Sequence, residues 1–130
     1  LHYPLRRQRQ MCIRDSHEMG RALGKDAMFL ERPEGTFHLR RGFAIKPGAK
    51  VLMVEDVVTT GLSSREAIAA VGEEGGEVVA EVSVVDRSGG TADLGVPFFP
   101  LVALNFPTYA DEEVPAELAA VPITKPGSRA

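Results

Sequence analysis

A run of four apolar residues at positions 51–54, followed directly by two carboxylates, constrains the fold of this 130-residue chain more than any other feature. The run (Val-Leu-Met-Val) has no polar alternation, which is typical of a strand covered on both faces in a parallel sheet. Glu55 and Asp56 then fall at the carboxyl end of that strand, where open α/β sheets bind their ligands. We therefore expect an α/β fold with a binding site beside these two acids.

The segment after the two acids has the composition of an anion-binding loop. Residues 59–64 read Thr-Thr-Gly-Leu-Ser-Ser, and a helix-like run follows them. A loop of small residues that opens a helix presents free backbone N–H groups and the positive end of the helix dipole to an anion. Gly61 allows a tight turn, and Ser63 or Ser64 is expected to cap the helix, with Glu66 completing a capping box.

The common nucleotide-binding motifs do not account for this loop. No Gly-Lys-Ser/Thr follows the glycine, which excludes a P-loop, and no G-x-G-x-x-G is present. A strand, a small-residue turn and a capped helix also occur in α/β domains that bind nothing at that point. The adjacent carboxylates favour a ligand, because they repel each other and are commonly partnered by sugar hydroxyls or a divalent cation. The pattern by itself indicates a site for a phosphorylated sugar.

Residues 51–63 resemble the phosphoribosyl-pyrophosphate (PRPP) motif of type I phosphoribosyltransferases, in which an apolar strand, two acids, two apolar residues, Thr-Thr-Gly and a hydroxyl residue follow one another. The similarity is greatest to the orotate phosphoribosyltransferase family, and further segments resemble it at 39–43, 45–48, 65–68, 85–90 and 125–129. The resemblance covers about residues 20–129. It implies an α/β fold with a mostly parallel sheet flanked by helices, incomplete at the N-terminus.

The resemblance also implies a role for each residue of the motif. Glu55 and Asp56 would bind the ribose hydroxyls of PRPP, and the loop would wrap the 5-phosphate. Thr59 would lie between the sugar and orotate, and Arg87 would pair with the orotate carboxylate, which a planar guanidinium suits better than an ammonium. The implied PRPP-binding residues are Glu55, Asp56, Val57, Val58, Thr59, Thr60, Gly61, Leu62, Ser63 and Arg32, and the implied orotate-binding residues are Thr59 and Arg87.

Residues 31–38 are the candidate for the mobile basic loop with which this family clamps pyrophosphate across a dimer interface. Their Pro-Glu-Gly sequence is a turn signal, so a hairpin or flexible loop is expected. Arg32 is expected to contact pyrophosphate and, with Asp56, to be catalytic. A salt bridge of Arg32 to Glu34 or Glu31 is the alternative.

The implied reaction transfers the phosphoribosyl group of PRPP to orotate, giving orotidine 5-phosphate and pyrophosphate in pyrimidine (UMP) biosynthesis. Positive charge develops on the sugar, as in glycoside chemistry, so catalysis would rest on positioning and on stabilisation of the departing pyrophosphate. Magnesium, held mainly through PRPP and pyrophosphate, is the expected cofactor; no metal-ligating residue is assigned.

Two alternative functions stay open. One is another PRPP-dependent base phosphoribosyltransferase, against which Arg87 argues, and the other is a catalytically incomplete PRPP-binding fragment.

Strand and helix signals alternate beyond the motif, as in a parallel α/β sheet. The motif helix should end at Gly75 and Gly76. Strands are expected at 77–85 and 98–105, and a short helix at 115–120. Because parallel strands end at the same edge of a sheet, Thr59 and Arg87 are expected to face one pocket.

The first sixteen residues match nothing in the family. They are rich in arginine, show no helical or strand periodicity and contain the only cysteine, and residues 11–16 resemble a peptide that recurs when sequencing-adapter DNA is translated. We expect residues 1–16 to be a non-native or disordered leader, with a mitochondrial presequence as the rival interpretation. Residues 17–130 would be the C-terminal part of the phosphoribosyltransferase core, without the first sheet strand and the N-terminal hood of the family.

Composition fits a single truncated domain in a reducing cytoplasm. The 44% hydrophobic content allows a modest core. A net charge of -3 argues against nucleic acid as a partner, no apolar run is long enough to cross a membrane, and one cysteine rules out an internal disulfide. The implied partners are PRPP, orotate and, in the full-length form, a second copy in a homodimer.

Overall fold

The computed structural model describes residues 8–107 and 109–122, which form a parallel three-stranded sheet with helices packed against it. The predicted α/β fold with a parallel sheet is confirmed. In chain order the elements are α1 (Gln8–Leu23), β1 (Leu30–Glu31), β2 (His38–Leu39), β3 (Lys50–Val58), α2 (Leu62–Glu73), β4 (Glu77–Asp86), β5 (Phe98–Ala103), a 3-10 turn (Asp111–Glu113) and α3 (Ala116–Ala119).

The sheet has the order β3-β4-β5, and both strand pairs are parallel. β3 extends four residues past the apolar run at 51–54, so Glu55 and Asp56 lie within the strand and Val58 is its last residue. Val58 is level with Asp86, the last residue of β4. The loops that follow these two strands therefore leave the sheet at the same edge, as predicted.

The helix α2 connects β3 to β4 and covers one face of the sheet. Its buried residues are Ser64, Ala67, Ala70 and Val71, whose i, i+3 spacing places them on one side of the helix. Small side chains at these positions let the helix approach the sheet closely. The buried apolar residues form the core at this interface: Val58, Ala67, Ala70, Val71 and Leu94.

Glycines determine where α2 begins and where it ends, and only the C-terminal end was predicted. At the C-terminus the Gly76 N–H donates to the Val71 carbonyl and the Gly75 N–H to the Gly72 carbonyl, which is a Schellman motif with Gly75 at φ +83°; the predicted glycine stop is confirmed. The capping box predicted for the N-terminus is wrong. The helix begins at Leu62 after Gly61, and the Leu62 N–H donates to the hydroxyl of Thr60 at 3.4 Å rather than to Ser63 or Ser64.

Residues 27–41 form the predicted hairpin, with two very short antiparallel strands. Leu30 is paired with Leu39 in this hairpin. Glu31 is buried and accepts hydrogen bonds from Arg41 at 2.5 Å and from Arg40 at 3.5 Å. These charge-assisted contacts hold the second arm of the hairpin to the first.

The N-terminal helix extends into the segment predicted to be a non-native or disordered leader. α1 runs from Gln8 through the expected boundary at residue 16 to Leu23. The segment has no proline, and good helix formers such as glutamine, methionine and arginine support a helix without a clear amphipathic pattern. A helix does not test whether the segment is native, so its origin stays a prediction. Residues 1–7 lie outside the described residues.

The C-terminal part carries little regular structure. α3 lies within the predicted span 115–120. The family-like segment 125–129 lies outside the described residues. Within the described part of the chain, no helix has the length and apolar character needed to cross a membrane.

Candidate functional site

A cavity of about 250 Å³ lies where β3 ends and α2 begins. It is formed by the loop between the two elements, the end of β3, the first turn of α2 and one side chain of the hairpin. All the predicted PRPP-binding residues line it except Asp56. The lining residues are Arg32, Glu55, Val57, Val58, Thr59, Thr60, Gly61, Leu62, Ser63, Ser64 and Glu66.

The backbone turns into α2 at Gly61, which has φ +73°. A Cβ atom at this position would lie 2.5 Å from Cδ2 of the buried Leu94 and 3.1 Å from Nη1 of Arg65. Both the left-handed backbone and the lack of space therefore require glycine here. The N–H groups of the first helical turn have no partner inside the helix, so this turn presents donors and the positive dipole end at the cavity.

Arg65 holds the loop at 59–63 through backbone carbonyl groups, a role that the sequence did not reveal. Its Nη1 donates to the carbonyl of Asp93 at 2.8 Å and to the carbonyl of Thr60 at 3.3 Å. The guanidinium thus joins the loop after β3 to the segment that follows β4. The family-like run at 65–68 marked the position, but only the fold brings Asp93 to it.

The two acids of the motif occupy different positions relative to the cavity. Glu55 lines the cavity, whereas Asp56 does not, because successive side chains of a strand point to opposite faces. The Oδ1 of Asp56 accepts the N–H of Val57 at 2.8 Å. Of the two acids of the motif, Glu55 is therefore the one at the described cavity, and a role for Asp56 toward ribose stays a prediction.

Arg32 reaches the cavity from the hairpin. Its guanidinium forms an ion pair with Glu66 of α2 and lies over the ring of Phe37, 4.2 Å from the ring centroid. Glu31 is engaged by Arg40 and Arg41 of the second arm, and the alternative of a salt bridge from Arg32 to Glu34 or Glu31 stays a prediction. The pair with Glu66 places a cation beside the loop, and its role toward pyrophosphate stays a prediction.

The turn after β4 is organised around Asp86. This buried carboxylate accepts the N–H of Ser88 at 2.7 Å, and the Ser88 hydroxyl in turn accepts the N–H groups of Gly90 and Ala92, each at 3.1 Å. Hydrogen bonds from the Ser88 hydroxyl and backbone lower the pKa of Asp86 below its ordinary value. Asp86 is thus held ionised and fixes the backbone on both sides of Arg87.

Arg87 lies beside the loop in the backbone but outside the cavity. Its N–H donates to the Val58 carbonyl at 2.8 Å, so it is adjacent to Thr59 across the strand ends. Its side chain is exposed and does not line the cavity that Thr59 lines. The strand register aligns the two backbones, and the prediction that Thr59 and Arg87 face one pocket stays a prediction.

A buried carboxyl beneath α2 is the feature that the sequence analysis missed. Glu81, in the middle of β4, is 0% exposed, and its Oε1 accepts a hydrogen bond of 2.6 Å from the hydroxyl of Ser64. Burial raises the pKa of Glu81, the Ser64 hydrogen bond opposes that shift, and the negative Glu55 adds to it. The only local signal was a glutamate in the otherwise apolar run 78–82.

The cavity adjoins a larger apolar groove of about 750 Å³ between α1, the hairpin and β3. Arg32, Glu55 and Ser63 line both spaces, so the groove opens onto the loop. Among the described residues no group of three or more His, Cys, Asp or Glu side chains could hold a metal ion. A cation at this site would depend on oxygens of a ligand.

Comparison with known proteins confirms the resemblance noted in the sequence. No protein-family model matches the chain. It is 78% identical over 114 residues to the orotate phosphoribosyltransferase of Erythrobacter litoralis, covering 88% of this chain and 59% of the relative. It is 75% identical to the orotate phosphoribosyltransferase of Novosphingobium aromaticivorans, again over 88% of this chain and 59% of the relative. It is 54% identical to that of Caulobacter vibrioides, over 87% of this chain and 58% of the relative. The chain thus spans about three fifths of the length of these relatives.

Proposed function

We propose that this chain carries the PRPP-binding part of an orotate phosphoribosyltransferase, which transfers the phosphoribosyl group of PRPP to orotate and releases pyrophosphate. The observation that carries the proposal is the cavity at the end of β3, where a left-handed glycine turn, the first turn of α2 and Glu55 meet. The high identity to enzymes named for this activity supports the choice of reaction.

The parts of the cavity suit the parts of PRPP. The loop at 59–63 and the helix N-terminus offer N–H and hydroxyl donors for the 5-phosphate. Glu55 offers carboxylate oxygens for ribose hydroxyls, and Asp56 would assist from the neighbouring strand position. Arg32 would hold the pyrophosphate after exchanging its pair with Glu66 for the stronger anion. Arg87 would pair with the carboxylate of orotate.

Magnesium fits this site as a companion of the substrate. Mg²⁺ prefers oxygen ligands and keeps several waters, so it is commonly bound through one or two carboxylates together with phosphate oxygens. Glu55 and Glu66 are the carboxylates that line the cavity, and Glu66 is paired with Arg32. When bound, the ion would neutralise charge that develops on the departing pyrophosphate. The chain's own residues orient PRPP and supply the remaining positive charge through Arg32.

Three further properties would accompany this function. The reaction belongs to UMP biosynthesis, for which the cytoplasm is the expected place, and a homodimer is expected for the full-length form. The alternative is a chain that binds PRPP without turnover. This alternative is tested directly, because the chain spans about three fifths of the relatives' length and the Arg87 side chain is exposed outside the cavity.

Calorimetric titration with PRPP and magnesium, followed by an orotate turnover assay, tests the proposal. We expect saturable binding of PRPP that weakens about tenfold or more in Glu55→Gln and Asp56→Asn, since each loses a charged hydrogen-bond acceptor. Glu77→Gln, at the exposed start of β4, is the matched control and should bind as the wild type does. Binding without orotidine 5-phosphate formation favours the non-catalytic alternative. Wild-type protein that binds no PRPP refutes the proposal.

A further inference from the structure

The hydrogen bond between Ser64 and Glu81 ties the first turn of α2 to the centre of the sheet. Ser64 is 3% exposed and is the third residue of the helix, one position after the loop that lines the cavity. Glu81 lies opposite Met53 of β3 on one side, and its own N–H donates to the Pro97 carbonyl at 2.9 Å on the other. The acceptor is therefore rigidly held, and its bond fixes where α2 begins.

A carboxyl group is a costly choice for this position. The neighbouring residues of β4 are mostly valine and alanine, and replacing a buried charged or polar group by an apolar one is often neutral or stabilising for the fold. Glu81 is nevertheless fully buried, and its Oε2 accepts no hydrogen bond from the described residues. Packing alone does not account for the glutamate, whereas a short directional bond to the helix start does.

The position of Glu81 also connects it to the acid of the cavity. Glu55 lies opposite Ser83 of β4, and Ser83 and Glu81 point to the same face because they are two residues apart. Glu55 and Glu81 are thus diagonal neighbours on the face that α2 covers, and their charges interact. The residue that fixes the helix start therefore shares the electrostatic environment of the candidate ribose-binding acid.

We propose that Glu81 is a positioning residue: through its hydrogen bond with Ser64 it holds the first turn of α2, and with it the loop at 59–63, in the geometry that receives the 5-phosphate of PRPP. The proposal rests on the proposed function of that loop. Glu81 does not contact the ligand, because Ser64 lies between it and the cavity. Its effect is on the placement of backbone donors.

The test uses three variants that separate the hydrogen bond from the charge. Ser64→Ala removes the donor, Glu81→Leu removes the acceptor, and Glu81→Gln keeps an amide oxygen that can still accept from Ser64. Each is titrated with ribose 5-phosphate, which needs the loop, and with magnesium pyrophosphate, which has no 5-phosphate. Glu77→Leu is the control for loss of a glutamate from the same strand, and circular dichroism verifies folding.

We expect Ser64→Ala and Glu81→Leu to weaken ribose 5-phosphate binding about tenfold, the effect of losing a hydrogen bond to a charged group. Pyrophosphate binding should be unchanged, and Glu81→Gln should restore most of the ribose 5-phosphate affinity. The Ser64→Ala/Glu81→Leu double variant should be no weaker than either single variant, since one bond is lost in all three.

Two results overturn the inference and leave the proposed function intact. In the first, the wild type binds ribose 5-phosphate and Ser64→Ala binds it with the same affinity. In the second, the variants lose affinity equally for ribose 5-phosphate and for pyrophosphate, which indicates general destabilisation. If Glu81→Leu does not fold, Ser64→Ala and Glu81→Gln decide by themselves. A wild-type protein that binds neither ribose 5-phosphate nor PRPP refutes the proposed function, and the inference with it.

Discussion

The backbone N–H of Arg87 donates a 2.8 Å hydrogen bond to the carbonyl of Val58. This bond joins the last residue of β3 to the first residue after β4, so the loop that follows β3 and the turn that follows β4 start from a common fixed point. Arg65 joins the same two segments again through Thr60 and Asp93. The candidate phosphate loop and the candidate orotate-binding arginine are therefore parts of one connected edge.

Replacing Arg87 should separate orotate binding from PRPP binding. In Arg87→Lys we expect the affinity for orotate to fall about tenfold or more, because an ammonium cannot form the bidentate pair that a guanidinium forms with a carboxylate. PRPP affinity should be unchanged, since the side chain lies outside the cavity. Calorimetry with each ligand measures both values, and Arg21→Lys, in an exposed pair with Glu18 on α1, is the control. Equal orotate affinity in Arg87→Lys contradicts the assigned role.

The glycine of the loop gives a test that isolates steric crowding from backbone strain. Gly61→Ala places a Cβ atom 2.5 Å from Leu94 Cδ2, whereas Gly48, also at φ +73°, has open space around the same atom. Both alanines adopt a left-handed backbone at about 1–2 kcal/mol. Overpacking should add about 1–3 kcal/mol to the free-energy cost at position 61 alone.

Urea denaturation of Gly61→Ala and Gly48→Ala measures that difference. PRPP affinity should also fall in Gly61→Ala and remain in Gly48→Ala, because only the former displaces the loop. Identical losses of stability in the two variants would show that Leu94 moves aside without cost.

The elements around the site could be predicted because their signals are local. An unbroken apolar run indicated β3, and paired glycines indicated the end of α2; both signals lie within a few residues of what they determine. The absence of periodicity in residues 8–16 was a weaker guide, since helix propensity without an amphipathic pattern still allowed α1 to form. The boundary predicted at residue 16 consequently does not coincide with any element boundary.

The contacts that hold the loop could not be predicted, because their partners are distant in the chain. Ser64 and Glu81 are 17 residues apart, and Arg65 and Asp93 are 28 apart. The pattern Ser-x-x-Glu at positions 63–66 matched a capping box, but the tight turn at Gly61 started the helix earlier and directed the Ser64 hydroxyl inward. Tertiary packing thus replaced a plausible local hydrogen bond with a long-range one.

Asp86 should make the protein sensitive to acid. Its folded-state pKa lies below the ordinary value of 3.8, so the folded protein binds a proton less readily than the unfolded chain does. The resulting stabilisation is fully present above that ordinary value and is lost as the pH falls through the lowered one. The Asp86→Asn variant has no carboxylate at this position, so it cannot lose this stabilisation in acid. The difference in free energy of unfolding between wild type and variant should therefore shrink as the pH falls below 3.8. Urea midpoints measured through this range check it, and a constant difference refutes the role.

Glu81 should have the opposite dependence on pH. Its pKa is raised above the ordinary value of 4.5, so below 4.5 the carboxyl is protonated in both states and contributes nothing to pH dependence. As the pH rises, the unfolded chain loses its proton first, and the folded state loses stability until the buried carboxyl itself ionises. Glu81→Gln does not titrate and keeps an acceptor for Ser64. Relative to the wild type, this variant should therefore gain stability as the pH rises from the ordinary value of 4.5 toward the raised pKa of the buried carboxyl.

Thermal unfolding of wild type and Glu81→Gln across that range measures the gain. Glu77→Gln, on the exposed first position of β4, controls for loss of a surface carboxylate and should show no such rise. Glu55 provides an internal check, because its negative charge contributes to the raised pKa of Glu81. In a Glu55→Gln background the pH-dependent gain of Glu81→Gln should be smaller, since removing the neighbouring charge brings the pKa of Glu81 back toward its ordinary value. Parallel unfolding curves for wild type and Glu81→Gln would mean that the buried carboxyl is already solvated by water and carries no penalty for ionisation.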